Sequence, residues 1–133
     1  MVVGGADQTL EPQQTASMAD KKTIFSRIID GEIPGRFVYQ DDHLVAIQDI
    51  QPAAPVHILV IPRKPIPSLQ HLEEEDAELA GRLLIAVRRI AEQEGLSGGY
   101  RVVINTGEEG GQTVPHLHLH ILGGRRLSEK MLP

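Results

Sequence analysis

The sequence predicts an α+β fold of five strands with one short and one long helix in a single domain. Three observations carry this. Five short runs rich in Val, Ile and Leu lie between turn residues, one long run repeats apolar residues at helical spacing, and 133 residues provide for one core rather than two. Aromatic residues make up only 3% of the chain, so that core is aliphatic.

Residues 1–21 hold Gly, Gln, Thr, Ser and Pro without a sustained period, and are expected to form a disordered leader before a domain over 22–133. Thr23 can cap a short helix in which Ile24, Phe25, Ile28 and Ile29 recur on one face and Gly31 is the stop. Phe37–Gln40 and Leu44–Asp49 read as two strands joined by a hairpin at Asp41-Asp42. Val56–Ile61, closed by Pro62, is a third strand that continues the meander. After Pro65 and Pro67 the long helix runs from Glu73 to Glu94. Leu79, Ala80, Leu83, Leu84, Val87, Ile90 and Ala91 form its apolar face, Glu73 to Asp76 suit the positive end of its dipole, and Gly95 ends it. Tyr100–Ile104 supplies a fourth strand, Gly107–Gly111 a loop, and Val114–Leu122 a fifth strand.

The absence of cysteine excludes disulfides, thiolate metal sites and a Cys nucleophile. Lys and Arg number 13 against 18 Asp and Glu, a net charge of −5, which leaves no electrostatic footprint for nucleic acid. No apolar stretch approaches the roughly 18 residues of a membrane span. These features predict a soluble, cytoplasmic protein without nucleic-acid or membrane partners.

Three of the six histidines stand at His116, His118 and His120, separated by single apolar residues. On a strand this alternation sets the three rings on one face and Leu117, Leu119 and Ile121 on the other, where they can pack beneath the long helix. Three readings compete. An exposed strand without a role gains nothing from three chargeable rings side by side. Metal binding, with His57 as a further ligand, is limited by reach: the row spans about 13 Å of strand, so at most two of the three rings meet one ion. The nucleophilic reading fits best. A neutral imidazole nitrogen can attack phosphorus, and water then cleaves the phospho-imidazole, with no metal or organic cofactor required. His118 is the natural attacker, because its neighbours can fix its tautomer and donate to the phosphoryl oxygens. The turn Gly110-Gly111-Gln112-Thr113 would offer backbone N–H groups and a hydroxyl to an anionic substrate.

His116-Leu-His118-Leu-His120-Ile-Leu matches the His-φ-His-φ-His-φ-φ motif (φ apolar) of the histidine triad (HIT) family. Thr23-Ile-Phe25, Glu32-Ile-Pro34, Asp49-Ile50, Pro52-Ala-Ala-Pro55, His57, Val60-Ile-Pro62, Gly99 to Asn105, Gly110-Gly-Gln112 and Leu122-Gly-Gly124 form an ordered series that resembles the Hint branch from Thr23 to Arg125. The resemblance implies a five-stranded antiparallel meander sheet that pairs with a second copy into a ten-stranded homodimer. It also implies hydrolysis of purine nucleoside phosphoramidates, such as adenosine 5′-monophosphoramidate, through a nucleotidyl-histidine intermediate. The alternatives are hydrolysis of dinucleoside polyphosphates, as in the Fhit branch, and a nucleotide-binding scaffold. Residue by residue, the likeness makes His118 the nucleophile, His120 a phosphate ligand, His116 an orienter through its main-chain carbonyl, and His57 part of the same polar cluster. Asp49 would accept from the ribose hydroxyls, and Ile50, Phe25 and Ile28 would line the base pocket. Asn105, Gly111, Gln112 and Thr113 would hold phosphate and leaving group. Thr113 stands where the branch usually has Ser, Ile47 where it often has Phe, and the tail Arg125–Pro133 lacks the Trp of some members.

Overall fold

Thr23 caps the first helix, α1 (Ile24–Ile29), its hydroxyl accepting the Ser26 N–H at 3.1 Å, and Gly31 at φ 83° turns the chain away. The computed structural model describes residues 22–130, so the expected leader lies outside the described residues. The strands are β1 (Phe37–Gln40), β2 (Leu44–Gln48), β3 (Val56–Pro62), β4 (Tyr100–Val103) and β5 (Leu119–Gly123). Helix α2 (Ala77–Gln93) crosses from β3 to β4 after a 3₁₀ turn over Glu74–Asp76. The β1–β2 hairpin closes at Asp41, whose Oδ1 accepts from the N–H groups of His43 and Leu44 at 2.7 and 3.0 Å.

All pairings are antiparallel, in the order β1-β2-β3-β5-β4. The first three strands form the expected meander. The last strand then inserts between β3 and β4, because Leu119, Ile121 and Gly123 must be buried, whereas β4 tolerates Tyr100 and Val102 in solvent at the edge.

The fifth strand is shorter than its periodicity predicts. Pro115 has no N–H for a ladder, the His116 N–H turns back to the Val114 carbonyl at 2.8 Å, and the Leu117 N–H goes to the Ile66 carbonyl at 2.7 Å. The ladder takes up the chain only at Leu119. His116 and His118 therefore precede the strand, and the His116 ring is buried on the α1 side beside Thr23, Ser26 and Phe25.

The sheet carries an apolar layer on each side. Leu44, Ala46, Ile58, Val60, Leu119 and Ile121 pack against Leu83, Ala86, Val87, Ile90 and Ala91 of α2. Leu84, which helical spacing places on this face, is 59% exposed, so the buried stripe is narrower than predicted. On the other side Val45, Ile47, Leu59 and Ile61 meet Phe25 and Ile28 of the much shorter α1. No helix among the described residues is long and apolar enough to cross a membrane.

Candidate active site

Strand register gathers the polar side chains on the α1 side. Asp49 leaves β2 opposite His57, donating its N–H to the His57 carbonyl at 2.9 Å. His120 pairs directly with Leu59, so His57, two residues before Leu59, lies diagonal to it on the same face. The rings of His118 and His120 have centroids 5.0 Å apart, and Phe25 meets His118 edge-on at 4.8 Å.

Hydrogen bonding assigns a tautomer to each ring. The Ala53 N–H donates to His57 Nδ1 at 3.0 Å, so neutral His57 carries its proton on Nε2, 2.9 Å from His120 Nδ1 and 3.5 Å from Asp49 Oδ2. His120 Nδ1 accepts that proton's hydrogen bond, which puts the proton of His120 on Nε2 as a free donor. His116 Nε2 donates to the Pro62 carbonyl at 2.8 Å, and its Nδ1 accepts from the hydroxyls of Thr23 and Ser26 at 3.4 and 3.3 Å. His118 Nδ1 donates to the His116 carbonyl at 2.8 Å, which leaves a lone pair on Nε2. Among the described residues, Thr106 Oγ1 is the only buried side-chain polar atom lacking a partner. The unpartnered Nε2 of His118 therefore reaches solvent, although the residue is only 7% exposed.

Burial keeps these rings uncharged. It lowers the pKa of His118, against the opposing effect of the carbonyl at Nδ1, and it lowers those of His116 and His57 as well. His120 is pushed down to about 4, first by burial and then by its neighbours His118 and His57. At neutral pH the site thus holds an uncharged, solvent-facing nucleophilic nitrogen beside a ring whose N–H is fixed as a donor, the pair that addition to an anionic phosphoryl group needs. Among the described residues, Asp49, His57 and His120 are the one group with cation-ligand spacing, their ligand atoms lying within 4.8 Å of one another. His57 and His120 already share a hydrogen bond there, and only one histidine of the motif takes part.

The remaining predicted residues divide. Phe25 and Ile28 are buried in the α1 layer beside the histidines, while Ile50 is 88% exposed next to Asp49. Asn105, Gly111, Gln112 and Thr113 form an adjoining loop whose hydrogen bonds do not run to the histidine rings. Asn105 Nδ2 donates to the Gly110 carbonyl at 2.9 Å, Gly111 adopts φ 82°, Gln112 bonds to the backbone around it, and Thr113 is exposed. Four further groups shape the site without having been predicted to: the Ala53 N–H, the Pro62 carbonyl, and the hydroxyls of Thr23 and Ser26. Two of these are backbone groups and leave no residue signature. Thr23 is legible as a helix cap, which hides its second contact.

The model of the HIT domain matches residues 30–127. The chain belongs to the HIT family. Among relatives of this HIT protein, the purine nucleoside phosphoramidase of Escherichia coli K12 is 49% identical over 108 residues, 80% of this chain and 91% of that protein. An uncharacterized HIT-like protein of Synechococcus elongatus is 58% identical over 106 residues, 80% of this chain and 93% of its own. The crystal structure of a HIT family hydrolase from Legionella pneumophila superposes with a TM-score of 0.79 at 42% identity, covering 81% of this chain and 97% of that one. A HIT family hydrolase from Clostridium thermocellum gives 0.81 at 40%, covering 84% and 98%.

Proposed function

We propose that this protein is a purine nucleoside phosphoramidate hydrolase working through a nucleotidyl-histidine intermediate, on substrates of the adenosine 5′-monophosphoramidate type. The observation that carries the reading is the lone pair that His118 Nε2 keeps because Nδ1 is committed to the His116 carbonyl. In the first step that nitrogen attacks the α-phosphorus, the P–N bond to the amine breaks, and the amine leaves protonated. In the second, water attacks the same phosphorus, the bond to His118 breaks, and the nucleoside monophosphate departs. The Nε2–H of His120 faces the charge that accumulates on the non-bridging oxygens, and Asp49 accepts from the ribose. Likeness to a purine nucleoside phosphoramidase supports the amine as leaving group. The reading includes a homodimer through β4, supported by an edge strand that leaves Tyr100 41% and Val102 37% exposed.

His118→Ala and His118→Asn should abolish turnover while retaining the fold, and rapid quenching of the native enzyme should trap a nucleotide on His118 detectable by mass spectrometry. Undiminished hydrolysis by either variant, or label on another residue, refutes the mechanism. Clear preference for a diadenosine polyphosphate over the phosphoramidate in one assay refutes the substrate class. Activity should survive exhaustive chelation, and a monomer in light scattering at assay concentration would overturn the dimer.

A further inference from the structure

The loop from β4 to the histidines is held by one side chain. Gln112 Nε2 donates to the Pro67 carbonyl at 2.7 Å and to the Val114 carbonyl at 2.9 Å, while Oε1 accepts the Gly107 N–H at 2.9 Å. The backbone N–H of Gln112 also donates to the Gly107 carbonyl, at 3.0 Å. A carboxamide has two N–H donors, and both are taken. Its orientation is fixed as well, because exchanging O and N would set an oxygen against two carbonyls and an NH₂ against an N–H. Family likeness assigns Gln112 to phosphate, a role that requires a donor. None remains.

We propose that Gln112 is instead a positioning residue, which ties the loop to Pro67 and Val114 and thereby sets the path of the chain into His116. The Val114 carbonyl that it holds also accepts the His116 N–H at 2.8 Å. Further on, the Leu117 N–H donates to the Ile66 carbonyl at 2.7 Å, one residue before Pro67. Two tethers, Gln112 to Pro67 and Leu117 to Ile66, therefore run segment 112–117 along the connection that follows β3. The His116 carbonyl, which orients the nucleophile through Nδ1, lies between them. On the other side of Gln112, Asn105 Nδ2 holds the Gly110 carbonyl, and Gly110 packs so closely on Thr106 that a Cβ there would fall inside contact distance of the Thr106 carbonyl oxygen. Release of Gln112 frees the Val114 carbonyl to which the His116 N–H is bonded.

The catalytic half of this inference rests on the hydrolase reading above; the hydrogen-exchange half does not. In Gln112→Ala, exchange of the Gly107 amide should accelerate at least about tenfold. Calorimetry should find AMP affinity within about twofold of wild type, while kcat on adenosine 5′-monophosphoramidate falls about tenfold or more. Gln112→Glu keeps an acceptor for Gly107 but has no donor for either carbonyl until its carboxyl takes up a proton, and then only one. Its kcat relative to wild type should therefore rise as pH falls with AMP affinity little changed, whereas a direct phosphate contact would make AMP affinity rise along with it. Loss of AMP affinity with Gly107 exchange unchanged shows a ligand contact and overturns the proposal. So does faster exchange with kcat and its pH profile unaltered, which marks a merely structural brace. Should the native protein fail to hydrolyse the phosphoramidate, the functional reading falls, and Gly107 exchange alone decides whether the lock exists.

Discussion

The three histidines of the motif are not interchangeable, and His116→Ala separates packing from chemistry. Its ring is completely buried, donates to the Pro62 carbonyl at 2.8 Å and lies with its centroid 6.2 Å from that of Phe25. The contact with His118, however, is made by the His116 main-chain carbonyl, which alanine retains. Leaving the Pro62 acceptor unsatisfied costs about 1–3 kcal/mol. The space vacated by the imidazole adds a cavity cost of about 1–2 kcal/mol. Together these destabilise the fold by about 2–5 kcal/mol, or roughly 8–20 °C in Tm for a domain of this size. Turnover at a temperature where the variant is folded should stay within about 50-fold of wild type, against a loss of at least about 10⁴-fold for His118→Ala. Circular dichroism melts read the first quantity, and initial rates on adenosine 5′-monophosphoramidate read the second. Wild-type stability in His116→Ala would refute the packing role, and inactivity equal to that of His118→Ala in a folded sample would show that the side chain of His116 takes part in the reaction.

The donor chain from Ala53 through His57 to His120 predicts that His57→Ala lowers kcat about 10–100-fold by releasing the His120 tautomer. His57→Gln, whose amide can still donate, should retain more activity, and equal losses in the two variants would refute the chain. The lowered histidine pKa values fix the acid side of both stability and rate. Below about pH 6.5 the unfolded histidines take up protons while the folded ones stay neutral, so the fold loses stability at up to about 1.4 kcal/mol per pH unit for each ring. For His120 that loss continues until its own proton binds near about 4. The acid limb of kcat/KM should lie below the ordinary histidine value, because burial lowers the pKa of His118. A limb above that value, or a Tm that rises on acidification from pH 7 to 5, contradicts the assignment. Gly110→Ala forces the loop away from the Thr106 carbonyl and should cost about 1–3 kcal/mol together with activity. An unchanged melt would show that the loop relaxes freely.

What could be read in advance was local. The Thr23 cap, the Asp41 turn, the α2 stripe and the apolar residues Leu117, Leu119 and Ile121 beneath it depend on neighbours a few positions away, and the structure has them where spacing puts them. Strand alternation also places His118 and His120 on the correct side of the sheet. It does not show that the His116 ring is completely buried, because the groups that hold that ring, the Pro62 carbonyl and the Ser26 hydroxyl, lie 54 and 90 positions away along the chain. The same distance argument applies to Gln112, which family likeness assigns to phosphate: the Pro67 carbonyl that its side chain holds is 45 residues earlier.

The chemistry divides along the same line. Residue identity shows which groups can react, since only imidazoles at this spacing offer neutral nitrogen nucleophiles. Which nitrogen reacts is decided by main-chain atoms, which leave no trace in residue identity: the Ala53 N–H sets His57, the Pro62 carbonyl sets His116, and the His116 carbonyl sets His118. The Pro62 carbonyl comes from β3 and the Ala53 N–H from the segment before it, so the tautomers of His116 and His57 are set by the fold around the motif and not by the motif alone. A peptide carrying the motif alone would hold the same three rings with both tautomers populated and no preferred attacker.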